Sequence, residues 1–136
     1  MSPTADRVEI AELVARLARA LDQRRFDDLR SIYTPDAQTS SPRGELRGID
    51  EIVEGIRRTS PADEGIQHFN TDVVVDLDLK RDQAEVSTHQ LVYFFRPGEA
   101  PYRTAGVQAG YTAIRTPEGW RFTHARIVPV WQQVTG

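Results

Sequence analysis

The chain has 136 residues, of which 39% are hydrophobic and 27% charged. That is enough for one compact core, and it fits neither a disordered tail nor a membrane span. Lys plus Arg number 17 against 20 Asp plus Glu, a formal charge of −3 with arginines scattered through both halves, which argues against a nucleic-acid binder. There are no cysteines, so disulfides, thiolate catalysis and Cys-based zinc sites are excluded.

The N-terminus "MSPTADRVEI" lacks the basic and then apolar regions of a secretion signal. No apolar run is long enough to cross a bilayer. The expectation is a cytoplasmic protein without membrane contact. No repeat or long linker divides residues 1–136, which read as a single domain.

Taken in chain order, residues 6–23 place Ile10, Leu13, Val14, Leu17 and Leu21 at helical spacing on one face. Asp6 followed by Glu9 reads as a capping box at its start. A shorter helix is predicted over 26–33, ended by "TPDA". Small strands are predicted near "AQTSS" and "GELRG", then a third helix in "IDEIVEGIRRT" with Ile49, Ile52, Val53 and Ile56 inward.

After "SPADEG" the period changes to two. Strands are predicted over 67–78, 83–95, 102–115 and 120–131, joined by "LKRD", "RPGEAP" and "RTPEG", which carry turn-forming residues. Four long strands joined by short turns form an antiparallel meander. The expected fold class is α+β: a cone-shaped, curved antiparallel or mixed sheet with three N-terminal helices closing a pocket.

Three histidines and one aspartate draw attention as polar groups at semi-buried positions. Asp22 ends the first helix on the flank of its apolar face. There a carboxylate sits unfavourably with the helix dipole. His68 begins a strand in line with Ile66 and Asn70. His89 shares its strand face with Leu91, Tyr93 and Phe95, and that face is expected to point inward. His124 alternates with Phe122 and Arg126 and is expected to be wetter. No His-x3-His or His-Glu-x2-His spacing, no Gly-x-Ser-x-Gly elbow and no phosphate-binding glycine loop is present. What remains is cofactor-free acid–base chemistry, or binding, in an enclosed pocket. Val86, Val92 and Phe94 then fall on the outer face as an apolar patch, from which a homodimer is expected.

The run "IAELVARLARALDQRRFDDLRSIYTPDA", then "LRGIDEI", "QHFNTDVVVDLD" and the meander ending in "EGWRFTHARIVPVW" resembles the SnoaL-like group of the nuclear transport factor 2-like superfamily. The resemblance spans roughly Asp6 to Trp131. It implies the same cone of sheet and helices, and it also points to a dimer. At its polar positions the chain is most similar to scytalone dehydratases, which eliminate water from a cyclic β-hydroxy ketone without a cofactor. The resemblance maps that family's polar residues onto Asp22, His68 in "IQHFN" and His89 in "THQLV". Leu21 and "QTSSP" stand where that family has tyrosines, and "QAG" stands where it has an asparagine.

Two functions follow as expectations. The first is a dehydratase, isomerase or cyclase acting on a small apolar, cyclic, polyketide- or terpenoid-like carbonyl compound. In it Asp22 orients His89 as base and His68 donates a hydrogen bond, while Tyr33, Phe69, Asn70, Tyr93, Tyr111 and Trp131 hold the substrate. The second is a non-catalytic ligand-binding or assembly module on the same fold.

Overall fold

The computed structural model describes residues 2–135. Helix α1 (Pro3–Asp22) starts where Ser2 accepts the Ala5 N–H through Oγ at 3.1 Å, with Pro3 set at the first helical position. Ser2, then, caps the helix. Asp6 is not part of a capping box but is 1% exposed on the inner face. Its carboxylate accepts from both terminal guanidinium nitrogens of Arg115 at 3.0 and 2.9 Å and from the Trp120 indole N–H at 3.1 Å. Glu9, one turn on, accepts the Trp120 backbone N–H at 2.7 Å. The two acids therefore bind the start of α1 to the turn between the last two strands.

After α1 a 3-10 helix spans Phe26–Ser31, shorter and tighter than the helix predicted over 26–33. It stops because the chain pairs as a strand from Tyr33 onward, and the Phe122 N–H reaches the Ile32 carbonyl. Strand β1 (Tyr33–Ser41), strand β2 (Gly44–Arg47) and helix α2 (Ile49–Arg58) follow. Strands β3 (Gly65–Asp78), β4 (Gln83–Phe95), β5 (Arg103–Thr116) and β6 (Gly119–Val134) form the predicted meander. The six strands lie in the order β2-β1-β6-β5-β4-β3. Every neighbouring pair is antiparallel except β1 and β6, so the sheet is mixed.

The helices cover one face of this sheet. Ile10, Leu13, Val14 and Leu17 of α1 and Ile52 and Val53 of α2 pack with Val86, Tyr111, Trp120 and Phe122 in the main core. A break in register between Thr71 and Val74 carries Asp72 into the left-handed region at φ 53°. Such a bulge shifts which residues point inward. Ile66, His68 and Asn70 face inward before it, and Val73, Val75 and Leu77 do so after it.

On β4 the inward residues are Ala84, Val86, Thr88, Gln90 and Val92. This corrects the expectation that His89, Leu91 and Tyr93 point under the helices. It also moves Val86 and Val92 from the proposed outer patch to the interior, with Phe94 packed beside Val92. Alternation groups residues by face but does not say which face is covered, and a shift of one residue exchanges the two. The C-terminal half of β4 is apolar on both faces. In its N-terminal half, Gln83, Glu85 and Ser87 mark the odd-numbered face as the wet one.

Candidate functional site

Asp22 comes to the site because it ends α1, and His68 because it lies on the inner face of β3 beneath that end. The Asp22 carboxylate holds His68 at two points. Its Oδ1 is 2.6 Å from the ring Nδ1, and its Oδ2 accepts the His68 backbone N–H at 2.9 Å. Both side chains are largely withdrawn from water, His68 at 11% and Asp22 at 19% exposed. A carboxylate accepts but cannot donate, so Nδ1 carries the ring proton and Nε2 presents its lone pair in the neutral ring. Among the described residues Nε2 makes no hydrogen bond of its own. A base whose proton sits on the far nitrogen, held by a carboxylate, is set to take a proton from a bound molecule.

Two residues along the same face stands Asn70, opposite Gln90 in the β3–β4 register. The Gln90 Nε2–H donates to Asn70 Oδ1 at 2.9 Å. On the side toward the ends of the long strands lies an apolar surface made by Val92, Ala105 and Val107 with Ile66, Phe94 and Ile127. On the other side the main core begins with Tyr111, whose ring stacks on Phe122 at 4.5 Å between centroids. Tyr33 meets the other edge of Phe122 at 6.1 Å. Burial pushes the Tyr111 phenol up to about 12, with the Gln90 amide pulling the other way. Burial raises Tyr33 further still, and the Tyr111 phenol adds to the rise. Both phenols therefore stay protonated, and neither can serve as a base at neutral pH.

The structure thus brings Asp22, His68 and Asn70 together, with Tyr111 and Tyr33 deeper on the same side. It does not bring His89 to them. The His89 ring lies on the opposite face of the sheet, 61% exposed, with Nδ1 3.6 Å from the Asp72 carboxylate. The pairing expected between Asp22 and His89 is made by Asp22 and His68 instead. Phe69 and Tyr93 also lie outside, edge to face at 5.7 Å, and Trp131 lies on that outer surface over Gly106. His124 is exposed there too.

Two open concavities on the outer face, of about 430 and 260 Å³, include His89 and His124 respectively but neither Asp22 nor His68. They are wide, solvated hollows along the strands, whereas the paired and shielded groups lie on the inner face. We place the site with the latter. Among the described residues no three His, Asp or Glu side chains converge as metal ligands would, and no helix is long and apolar enough to cross a membrane.

Gln90 was not singled out by its sequence, although a signal existed. It is the one amide on a strand face otherwise made of Ala84, Val86, Thr88, Val92 and Phe94. The Asp6–Arg115–Trp120 cluster left no such trace, because its members are 109 and 114 residues apart.

The SnoaL-like domain family matches residues 2–126. An uncharacterized protein of Mycobacterium tuberculosis is 28% identical over 120 residues, covering 86% of this chain and 80% of that protein. Among solved structures, a scytalone dehydratase-like protein of Novosphingobium aromaticivorans superposes with a TM-score of 0.83 at 17% identity, over 98% of this chain and 89% of that one. A hexachlorocyclohexane dehydrochlorinase superposes with a TM-score of 0.86 at 15% identity, over 98% and 90%. At these identities the likeness to the solved structures is one of fold.

Proposed function

The chain belongs to the SnoaL-like domain family, and from that premise we propose that it is a cofactor-free acid–base enzyme, a lyase or isomerase, acting on a small apolar cyclic carbonyl compound. The observation that carries this reading is the two-point hold of Asp22 on His68, which leaves Nε2 unpaired beside an apolar surface. His68 takes a proton from the carbon next to the carbonyl. Asp22 fixes the ring and stabilises the imidazolium that forms. The proton then returns to another carbon in an isomerisation, or leaves with a β-substituent in an elimination. The two fold neighbours named for eliminations, a dehydratase and a dehydrochlorinase, favour the second course.

A general base of this kind shows itself without the natural substrate. The ketone 1-indanone in D2O exchanges its C2 protons for deuterium once it is enolised. We expect the protein to accelerate the loss of the C2 signal in proton NMR and His68→Ala to abolish the acceleration. Exchange at the buffer rate with wild-type protein, alongside measurable ligand binding, would instead support a binding module on the same fold.

We also propose that a second copy of the chain covers the outer face of the sheet. Phe69, Leu91, Val74, Val128 and Trp131 are each more than a third exposed there, and exposed large apolar side chains gathered on one face are what an interface between copies would cover. These replace Val86, Val92 and Phe94 as the residues that support a homodimer.

A further inference from the structure

The inner face of the sheet holds two apolar clusters, and the row that separates them is polar. Val92, Ala105 and Val107 with Ile66 and Phe94 form one cluster, and the core around Tyr111 and Phe122 forms the other. Between them stand Asn70 and Gln90, paired across β3 and β4. A polar pair between two apolar surfaces costs stability unless its hydrogen-bonding groups are used. The pair is satisfied on one side, where Gln90 Nε2–H donates to Asn70 Oδ1.

That bond has a directional consequence. With Oδ1 engaged as acceptor, the Asn70 side chain is fixed with its NH2 group turned away from Gln90. Among the described residues that NH2 group donates to no protein atom. It is not sealed in the interior, since Thr34 Oγ1 is the side-chain atom found both buried and unpaired. Asn70 itself is half-buried. An N–H donor without a protein partner therefore stands on the same strand face as His68, whose Nε2 presents its lone pair. His68 and Asn70 are two residues apart on one face of a strand, about 7 Å along it.

We propose that Asn70 is the residue that binds the carbonyl oxygen of the ligand, through its free Nδ2–H, and that Gln90 is the positioning residue that keeps this donor pointing at the ligand. The assignment rests on the inner face being the ligand site. It deepens the function proposed above by stating what selects the substrate. The apolar body lies against Ile66, Val92, Phe94 and Val107. The carbonyl oxygen meets Asn70, and the adjacent C–H meets His68 Nε2. As the proton moves to His68, negative charge gathers on that oxygen, and the Asn70 donor faces it. Molecules of the same shape without an acceptor oxygen lose this contact and leave the donor unpaired.

The test compares 1-indanone with indane, which has the same bicyclic body and no oxygen. Binding is followed by titration of 15N-labelled protein, with the Asn70 side-chain amide signal as reporter. The wild-type protein is expected to bind the ketone about tenfold more tightly, the size of one well-made hydrogen bond. The Asn70 amide signal should shift with the ketone and not with the hydrocarbon. Asn70→Asp keeps the shape but replaces the donor with acceptors, and should lose the preference for the ketone over indane. Gln90→Glu, which can only accept from Asn70, should turn the Asn70 donor toward itself and lose the preference likewise. Thermal unfolding followed by circular dichroism shows that each variant is folded. His68→Ala should retain the preference, and a wild-type protein that shows the preference but no proton exchange would refute the base and leave this assignment standing. A wild-type protein that does not distinguish the two probes, including by binding neither, overturns it. So does an Asn70→Asp variant that still prefers the ketone.

Discussion

Replacing Asp22 by Asn tests the site at the atom on which it depends. The wild-type carboxylate accepts two hydrogen bonds, from the His68 backbone N–H at 2.9 Å and from the ring at 2.6 Å. An amide has one oxygen. The backbone N–H can only donate, so the amide oxygen must stay with it, and the amide NH2 then faces Nδ1. Nδ1 becomes an acceptor, and the ring proton moves to Nε2, the nitrogen that must be free to act as base. The variant keeps its shape and loses its tautomer. The expected loss in proton exchange is roughly 10²–10⁴-fold, the range for removing general-base function. Stability should change far less. Two charge-assisted hydrogen bonds become neutral ones, a combined difference of about 1–2 kcal/mol for a pair that keeps some contact with water. That corresponds to roughly 3–8 °C in Tm for a chain of this size. The assay pairs deuterium exchange of 1-indanone with thermal unfolding followed by circular dichroism. An Asp22→Asn protein that melts as expected and exchanges within about threefold of wild type would refute the dyad as a base, because a tautomer change in a base cannot be so mild.

His89→Ala and His124→Ala should each leave exchange near the wild-type rate, since both rings lie on the exposed outer face; a large loss in either would move the site to the hollows there. Leu91→Glu should convert a dimer to a monomer by light scattering at micromolar concentration, while a wild-type monomeric mass would dismiss the outer face as an interface. Asp6→Asn should lower Tm more than Glu12→Gln, whose partner Arg16 is exposed; equal effects would show that the buried cluster is not a clamp. The hydrogen bonds from Arg115, and then from Trp120, hold the Asp6 carboxyl below its ordinary value. Its contribution is therefore complete above the unfolded carboxylate range near ~3.9 and is lost as pH falls through the lower folded value. Asp6→Asn should flatten the acid limb of Tm against pH, and an unchanged limb would contradict that sign.

Much of this protein was legible in its sequence because the information is local. The spacing of Ile10, Leu13, Val14 and Leu17 specified the first helix. The change of period after residue 65 located β3 to β6 to within about three residues, and the Asp22 and His68 positions stood out as polar groups on semi-buried faces. Three decisions were not local. Which face of β4 is covered depends on where α1 lies, and that choice sent His89 out and Gln90 in, exchanging the histidine that Asp22 holds. The bulge at Asp72 let one strand present His68 and Asn70, then Val73 and Val75, to the same side, although strict alternation would have divided them. Asp6 looked like a helix cap because Glu9 follows it by three. Folding instead set it against Arg115 and Trp120, where a buried carboxylate is tolerated because three hydrogen bonds meet it. Periodicity fixes which side chains travel together; the packing of one element on another fixes which of them lose their water, and the chemistry of the site follows from that loss.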